Sequence, residues 1–309
     1  MMLVPMTFRQ LSTFFLGLST FLILASVVLF ITPGPKYSIE FTGGTLLQIE
    51  LPVGKTRDDV IAALQSYEET TTQSLGNSSV TAVKTASEEA FLLRMRPMSN
   101  EEHIALLGHL ETSLGAVKEL KYNTIGPSLS ASLKTKSLKA IALASVATIL
   151  YLALAFRKLP RNLNPWKFGT IVVVAFLHDI VITVGAFTIL GWFTSFEFDT
   201  LFVTALLTIL AYSTNEAIVV FDRIRANLTF EQRSEDLSVV VVAALRQCLG
   251  RTTGTTVSIL IMLTTLFFMG AESIRWFILA LIFGAVMGVY SSYLVAAPLL
   301  MHWQDRKER

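Results

Sequence analysis

Six long apolar stretches constrain the fold of this chain more than any other feature of its sequence. A helix of about 20 apolar residues crosses the hydrocarbon core of a bilayer. Only 16% of the residues are charged, against roughly 25% in soluble domains. The sequence therefore predicts a polytopic α-helical membrane protein with six transmembrane helices. The predicted spans are Leu11–Ile31, Leu138–Phe156, Phe168–Gly191, Leu201–Phe221, Thr252–Met269 and Trp276–Leu300.

The first apolar stretch is interpreted as an uncleaved anchor. The residues Pro33–Pro35 follow it, without the small-residue pattern that marks a signal-peptide cleavage site. The single cysteine, Cys248, cannot form an internal disulfide, so no such bond is expected in any exported part. A net charge of +2 and the absence of a basic block give no sign of a nucleic-acid partner.

Lysine and arginine predict the orientation, because short cytoplasmic loops carry an excess of both. On one side, the loops and the C-terminus carry Arg157, Lys158, Arg161, Lys167, Arg223, Arg225, Arg233, Arg246, Arg251, Arg306, Lys307 and Arg309. The opposite loops carry Glu197, Asp199, Glu272 and one nearby base, Arg275. Three lysines oppose this pattern, but they follow a long segment that translocates largely regardless of charge. They are Lys134, Lys136 and Lys139. Both termini are predicted to be cytoplasmic.

The segment between the first two spans, Pro33–Leu133, is soluble in character. Its apolar residues alternate or recur at helical spacing, and Ser99 begins the sequence pattern of a capping box. The predicted elements are strand Ile39–Leu51 with a bulge or bend at Thr42–Thr45, helix Thr56–Ser74, strands Ser79–Thr85 and Ala90–Pro97, a helix capped by Ser99, and strand Val117–Thr124. This βαββαβ order predicts one exported α+β domain of the ferredoxin-like fold. The predicted division is residues 1–32, 33–133 and 134–309.

Three ionisable residues in or beside the spans form the candidate proton relay. Glu216 lies in the fourth span, Asp179 in the third, and Arg251 at the start of the fifth. An ionisable group is costly in hydrocarbon, so its presence there indicates a function. Burial favours the neutral form of a carboxyl group, which suits a group that exchanges protons. The three residues form a graded polar path if their helices face one another.

Other polar residues near these three are candidates for supporting roles: Asn215, Tyr212, His178 and Thr252. The alternative for Asn215, Ser213 and the threonines is an interhelical hydrogen bond with no further function.

Asp222 and Arg223, at the end of the fourth span, are interpreted as a topological anchor or a local ion pair. The pair His178-Asp179 does not predict a metal site, because zinc needs at least three protein ligands and the other histidines are scattered. No nucleophile elbow or phosphate-binding loop is present, so neither an enzymatic activity nor a cofactor is expected.

Five segments, in order, resemble the SecF family of bacterial protein export. They are YSIEFTGGTLLQIE (Tyr37–Glu50), NTIGPSLS (Asn123–Ser130), FLHDIVITVG (Phe176–Gly185), the long fourth-span stretch Glu197–Leu228 with AYSTNEAIVVFDRIR, and the fifth and sixth spans (Leu249–Ser292). The resemblance covers nearly the whole chain.

Some positions depart from the family pattern. Ser38 and Glu40 stand where the family has Gly and Asp, and Glu216 replaces an Asp while keeping a carboxyl group. The residues before Arg251 also differ; they are Arg246, Cys248 and Gly250.

The resemblance implies a subunit that assists late protein export with a SecD-like partner, using the proton motive force. It also implies a SecY-containing channel, SecA and YajC-like accessory proteins, unfolded exported polypeptide and membrane lipid as partners, in the bacterial plasma (inner) membrane. In this family Glu216 is expected to handle protons, and the exported domain to hold or release the emerging chain.

Three other functions are weighed against this one. A proton-coupled transporter subunit of the RND type uses the same carboxylates, but such pumps usually repeat the six-span unit in one chain. A purely structural subunit leaves the proton relay to a partner. An intramembrane protease needs a second catalytic aspartate or a metal triad, which the sequence does not offer.

Overall fold

The computed structural model describes residues 3–52, 54–71, 74–76, 78–84, 89–155, 165–230 and 237–305. The chain forms two compact units: a membrane unit of Met1–Lys36 with Leu138–Arg309, and an α+β unit of Tyr37–Ser137. In the described ranges, six helices are long and apolar enough to cross a membrane. The predicted multi-pass helical membrane protein is confirmed.

The helices and strands follow one another along the described residues in a simple order. They are α1 (Leu3–Ile31), α2 (Ile39–Thr42), β1 (Gly44–Leu51), α3 (Arg57–Thr71), β2 (Ser79–Lys84), β3 (Glu89–Met95), α4 (Asn100–Leu114), β4 (Lys118–Ile125), α5 (Pro127–Ala155), α6 (Pro165–Phe193), α7 (Thr200–Phe230), α8 (Leu237–Met269), a 3-10 turn (Glu272–Ile274), α9 (Arg275–Ser291), a π-helical segment (Ser292–Ala296) and α10 (Ala297–Asp305).

Several of the basic residues behind the predicted orientation lie outside the described residues. They are Arg157, Lys158, Arg161, Arg233, Arg306, Lys307 and Arg309. The cytoplasmic position of both termini therefore stays a prediction.

The spanning helices are longer than the apolar stretches that predict them. Helix α7 continues past Phe221 to Phe230, and α8 begins at Leu237 instead of Thr252. Hydropathy marks only the part of a helix suited to lipid, whereas good helix formers such as Arg, Ala and Leu extend it. Four arginines assigned to the fourth-to-fifth loop therefore lie on helices, which corrects the prediction. They are Arg223, Arg225, Arg246 and Arg251.

The membrane unit has two separate apolar cores. One is built around Phe168 of α6, Phe221 of α7 and Leu300 of α10. The other is aromatic and includes Phe187 and Phe202, whose ring centroids are 5.0 Å apart. Helix α7 contributes to both cores and packs against α6, α8 and α9. It is therefore the central helix of the bundle.

The α+β unit contains one four-stranded antiparallel sheet in the order β2-β3-β1-β4. Alternate residues of the central strand β1, such as Leu47 and Ile49, are fully buried. They pack in one core with Val60 of α3 and Leu106 of α4. The unit therefore has a hydrophobic core of its own.

The segment before β1 differs from the prediction. The sequence predicts a strand from Ile39 onward, but Ile39–Thr42 form the short helix α2. The Ser38 side chain accepts a hydrogen bond from the Glu40 backbone, and Gly43 ends the turn with φ of +72°. Gly44 follows with φ of +128°, and a Cβ atom there would lie 2.8 Å from the Met95 carbonyl oxygen. Two glycines are therefore needed to turn the chain and to bring β1 against β3.

A charged cluster holds the start of α4. Ser99 and Glu102 form the predicted capping box, so this prediction is confirmed. The Arg96 guanidinium binds both oxygens of the Glu102 carboxylate, at 2.8 and 3.2 Å. The hydrogen bonds from Arg96 and then from the Ser99 backbone hold the pKa of the Glu102 carboxyl below its usual range. Ionised Glu102 therefore stabilises the folded α+β unit.

We expect Tyr37–Ser137, expressed alone, to fold and to show the circular dichroism spectrum of mixed helix and strand.

We expect the substitution Glu102→Gln to make the free energy of unfolding of this unit less dependent on pH. A lowered pKa gives stability that is present above the unfolded value, about 4.3, and is lost as the pH falls through the folded value. Wild type should therefore be more stable than Glu102→Gln at pH 7, and the difference should narrow by about pH 3. Urea unfolding at several pH values measures this difference in the free energy of unfolding.

Glu101→Gln is the matched control, because Glu101 is also in the first turn of α4 but belongs to no ion pair with Arg96. Its stability should follow that of wild type at every pH. An equal pH response in Glu102→Gln and wild type would contradict the role given to Glu102, and an all-helical spectrum would contradict the independent core.

Candidate functional site

Among the residues that the structure describes, two carboxyl groups are buried in the membrane unit, one on α6 and one on α7. Asp179 is 0% exposed and Glu216 is 3% exposed. Helix α7 connects the two positions, because its Ser213 donates to Asp179 and its Glu216 lies three residues further along the same helix. Residues three apart lie on neighbouring parts of one helix face, about 4.5 Å apart along the axis. The two carboxyl groups therefore occupy adjacent layers of the bundle.

Asp179 is hydrogen-bonded to three side chains on three helices. The Ser213 hydroxyl of α7 and the Ser291 hydroxyl of α9 donate to Oδ2, at 2.5 and 2.7 Å. The neighbouring His178 of α6 places Nδ1 2.9 Å from Oδ1. Both carboxyl oxygens are therefore hydrogen-bonded, and Asp179 joins α6, α7 and α9 at one point.

Small residues on α9 make this meeting possible. A Cβ atom at Gly288 would lie 3.1 Å from the Tyr212 ring and 3.3 Å from Ser213 Cα. Gly284, one turn earlier, faces the side chain of Ile209 in the same way. Such glycines let membrane helices approach closely. The close approach of α7 and α9 brings Ser291 within reach of Asp179.

Glu216 has different neighbours, and the groups that act on its carboxyl group include three residues of α8. Its carboxyl group interacts with Thr252, Arg251 and Thr255. Among the described residues, its Oε2 atom is buried without a hydrogen-bond partner. Arg251 is exposed, and it forms no ion pair within 4.0 Å in the described part of the chain. Its charge therefore acts on Glu216 from a distance.

Two tyrosines close the polar layer around Glu216. The Tyr293 hydroxyl donates to Thr252 Oγ1 at 3.1 Å, and the Tyr212 hydroxyl shares a hydrogen bond of 2.9 Å with Thr256. Tyr293 lies in the π-helical segment, which begins directly after Ser291. Segments of this kind are frequent at functional sites. The sixth span thus contacts both carboxyl layers across one irregular turn.

The remaining predicted site residues lie elsewhere. Asn215 is exposed on α7, on a different side from Glu216. Asp222 pairs with Arg225 at 2.9 Å, one helical turn away, whereas Arg223 donates to Gln247 of α8. The ion pair of Asp222 is therefore formed with Arg225 and not with Arg223, because adjacent residues on a helix point about 100° apart. The alternative, that Asp222 and Arg223 are a topological anchor, stays a prediction.

Sequence reasoning missed two residues of the site, Ser291 and Tyr293. The run YSSY at positions 290–293 puts four polar side chains inside an apolar span, which is a signal that could have found them. The donors to each acid could not be inferred, because they depend on how each helix is rotated about its axis, which hydropathy does not report.

The two sites differ in what they can do chemically. Asp179 has a donor for each oxygen, which compensates much of the cost of burying its charge. Glu216 leaves one oxygen without a donor in the described part of the chain, so its ionised form bears more of that cost. No three His, Cys, Asp or Glu side chains in the described ranges lie close enough to share a metal ion.

Two family profiles match the chain. One, described as protein export membrane protein SecD/SecF, C-terminal, matches residues 108–306, and the SecD/SecF GG motif matches residues 28–51. The second match contains the glycines that turn the chain into β1. The six long apolar helices of the described ranges, with an α+β unit between the first two along the chain, fit an export membrane protein of the SecD/SecF class.

Curated relatives and a solved structure agree with the profiles. Protein translocase subunit SecF of Thermobaculum terrenum is 36% identical over 292 residues, 94% of this chain and 91% of the relative. Protein translocase subunit SecF of Desulfurispirillum indicum is 32% identical over 308 residues, which cover 97% of this chain and 92% of the relative. The crystal structure of SecDF from Thermus thermophilus, a translocon-associated membrane protein, is similar with a TM-score of 0.79 and 29% identity, over 97% of this chain. This chain spans 38% of that SecDF chain. The chain belongs to the SecF branch of the SecD/SecF family, which confirms the resemblance found in the sequence.

We expect Ser213→Ala and Ser291→Ala each to destabilise the membrane unit by about 1 kcal/mol, the size of an interhelical hydrogen bond in a bilayer. The double variant should lose more than the sum, because Oδ2 of Asp179 then has neither of its two donors. Unfolding in mixed micelles with increasing denaturing detergent measures these changes.

Ser258→Ala serves as control, since its hydroxyl only binds the Gly254 carbonyl of its own helix. It should be close to neutral. Simple additivity in the double variant would show that the two donors act independently of the shared carboxyl oxygen.

Proposed function

We propose that the protein is a SecF-like subunit that, with a SecD-like partner, assists protein export through the Sec translocon. In this proposal it works in a late stage and uses the proton motive force. The observation that carries the proton-driven part is the Glu216 carboxyl group, buried in the bundle with Oε2 unpartnered among the described residues. The export part is supported by the relatives, which are named protein translocase subunit SecF.

Proton exchange at Glu216 would change the contact between α7 and α8. When Glu216 is ionised, the positive charge of Arg251 attracts it and the α8 threonines can donate to it. When a proton neutralises Glu216, this attraction is lost and only hydrogen bonds remain. A membrane potential of 100 mV supplies about 2.3 kcal/mol for each charge that crosses. That energy is large enough to shift the packing of two helices.

The α+β unit is the part we assign to the exported side, where it would hold or release the emerging polypeptide. We also propose that its fold is ferredoxin-like. Its strand order and the two helices α3 and α4, which share one core with the sheet, support this. Both termini are then cytoplasmic and the membrane is the bacterial plasma membrane. The SecY-containing channel, SecA, YajC-like proteins and membrane lipid follow from the family resemblance as further partners.

One face of α7 supports the partnership with a SecD-like subunit. Thr204, Thr208, Ala211 and Asn215 recur at spacings of four, three and four residues, and all are exposed. The Asn215 amide has no hydrogen-bond partner in the described part of the chain, although it lies in a membrane span. An unsatisfied amide is costly in lipid, and small and polar residues are typical of helix contacts. A second membrane helix on this face would remove that cost.

Glu216→Gln tests the proton-driven function. It keeps the shape and hydrogen-bonding capacity of the side chain but fixes it in a neutral state, so stimulation of export by a proton gradient should disappear. Glu216→Asp keeps the carboxyl group, retracted by about 1.5 Å, and should retain much of the stimulation. Export into inverted membrane vesicles that contain the chain and its SecD-like partner, with and without a gradient, measures both.

Co-purification of the SecD-like subunit controls for assembly, which neither variant should disturb. A structural role for Glu216 predicts the opposite ranking, with Gln tolerated as the better isostere and Asp impaired. Should Gln export better than Asp under a gradient, Glu216 is a packing residue. An RND-type transporter would instead show gradient-dependent movement of a small molecule, with export unchanged in Glu216→Gln.

Thr208→Leu combined with Asn215→Leu tests the partner face of α7. Bulky side chains should block close helix contact, and the amide is lost, so recovery of the SecD-like subunit in mild detergent should fall about fivefold. Thr265→Leu is the matched control, since Thr265 is an exposed α8 threonine with the same kind of backbone hydrogen bond as Thr208. Equal recovery from the double variant and the control would show that the partner binds elsewhere.

A further inference from the structure

The segment Thr32–Lys36, which joins α1 to the α+β unit, is short and stiff. It contains two prolines, Pro33 and Pro35, whose rings fix the φ angle. It is also tied to the end of α1, because the Gly34 N–H donates to the Leu29 carbonyl at 3.2 Å. The joining segment therefore continues α1 and does not hang loosely from it.

The loop between α6 and α7 holds the far end of this joining segment. The Phe198 N–H donates to the Lys36 carbonyl at 2.7 Å, and the Trp192 indole nitrogen lies 3.5 Å from the Gly34 carbonyl oxygen. All four residues belong to the membrane unit. The loop itself is held in place, because Phe198 is 7% exposed in the aromatic core and the Asp199 carboxylate accepts a hydrogen bond of 2.7 Å from the first turn of α7.

The next carbonyl along the chain is held by the α+β unit. The Arg94 guanidinium of β3 donates to the Tyr37 carbonyl at 3.2 Å, and Tyr37 is the first residue of that unit. The carbonyls of Lys36 and Tyr37 are therefore bonded to different units, although the two residues are adjacent. Because a peptide bond is planar, the only free rotations between these two carbonyls are the φ and ψ angles of Tyr37. The connection has no slack.

The other connection between the two units is of a different kind. Helix α5 passes from one unit to the other without a break, between Ser137 and Leu138. It is mostly exposed in the described part of the chain, although Leu152 joins the apolar core of the membrane unit. Its few buried contacts give the packed helices little hold on it. The helices can therefore act on the α+β unit mainly through Lys36 and Tyr37.

We propose that the Tyr37 backbone is a pivot that passes movement of the membrane helices to the α+β unit, with the α6–α7 loop as its attachment. Helices α6 and α7 carry Asp179 and Glu216 and meet at this loop. A change in their packing therefore shifts Phe198 and, through the Lys36 carbonyl, the start of the α+β unit. This inference rests on the proposed proton-driven export and names the residues that pass the movement on.

Hydrogen exchange tests the attachment without an export assay. The protein is the full chain with its SecD-like partner in mild detergent. The Phe198 amide should exchange at least about tenfold slower than an unprotected amide in the same sequence, because it donates to the Lys36 carbonyl. Exchange of the Phe198 amide at the unprotected rate overturns the attachment.

A Gly-Gly insertion between Lys36 and Tyr37 tests the pivot. It leaves both carbonyls able to keep their donors but adds freely rotating residues between them. The Phe198 amide should therefore stay protected, while stimulation of export by a proton gradient in vesicles falls about fivefold or more. Export without a gradient and recovery of the SecD-like subunit should match wild type. The same insertion between Gly54 and Lys55, where the structure has open space, is the matched control and should leave stimulation unchanged.

Arg94→Ala tests the α+β side of the pivot. It removes the donor to the Tyr37 carbonyl, so stimulation should fall, whereas Arg94→Lys can still donate and should retain much of it. Arg57→Ala is the matched control. The Arg57 side chain also donates to a backbone carbonyl of the α+β unit, that of Val80, at 2.9 Å. Equal stimulation in Arg94→Ala and Arg57→Ala would overturn the role of Arg94 at the pivot.

The outcomes distinguish the pivot from the proposed function. Full stimulation in the junction insertion, with stimulation lost in Glu216→Gln, overturns the pivot alone. Equal loss from the junction insertion and from the control at Gly54 also overturns it, since the position of the added residues would then not matter. Loss from the junction insertion only, with full stimulation in Glu216→Gln, supports the pivot and removes Glu216 from the proposed function. A gradient that does not stimulate export by wild type overturns both.

Discussion

The hydrogen bonds around Asp179 are the interaction on which the membrane unit depends. A carboxyl group at 0% exposure needs donors, and the bundle provides them from three helices at one level. If α9 lay farther from α6 by the width of one side chain, the Ser291 hydroxyl could not reach the carboxylate. The carboxylate would then lack a donor in a medium without water. Gly284 and Gly288 of α9 permit the close approach of α7 and α9 that places Ser291 at this carboxyl group. Polar contacts thus determine which helices are neighbours, because apolar side chains gain little by leaving lipid for another helix.

Sequence reasoning could predict the elements whose cause is local. Apolar length identifies the six spans, and the capping box at Ser99 identifies the start of α4, because both depend on nearby residues. The prediction of a strand at Ile39–Thr42 is wrong, because its apolar residues suit either structure and the cap at Ser38 decides for a helix. The function was predicted from the family resemblance. The residues alone indicate only that burying charged groups in the membrane is costly.

The sequence predicted which acidic residues of the site are costly to bury in the membrane, but it did not predict how they are arranged. Asp179 and Glu216 stand out because each is an acid in an apolar span, whichever way its helix faces. Which donors each receives depends on helix rotation, which hydropathy does not report. The sequence suggests that Arg251 completes a path with both acids, yet it acts on Glu216 from an exposed position, and Asp179 is bonded to a different set of residues.

The π-helical segment also changes the phase of the sixth span. The Ala297 backbone N–H binds the Ser292 carbonyl, five residues back, so this turn holds one residue more than an α-turn. Everything after it is rotated by about 100° relative to a continuous α-helix. The rotation lets α9 direct Ser291 at one acid layer while Leu300 of α10 still faces the apolar core. The two halves of the sixth span therefore face different neighbours than a continuous α-helix of the same sequence would reach.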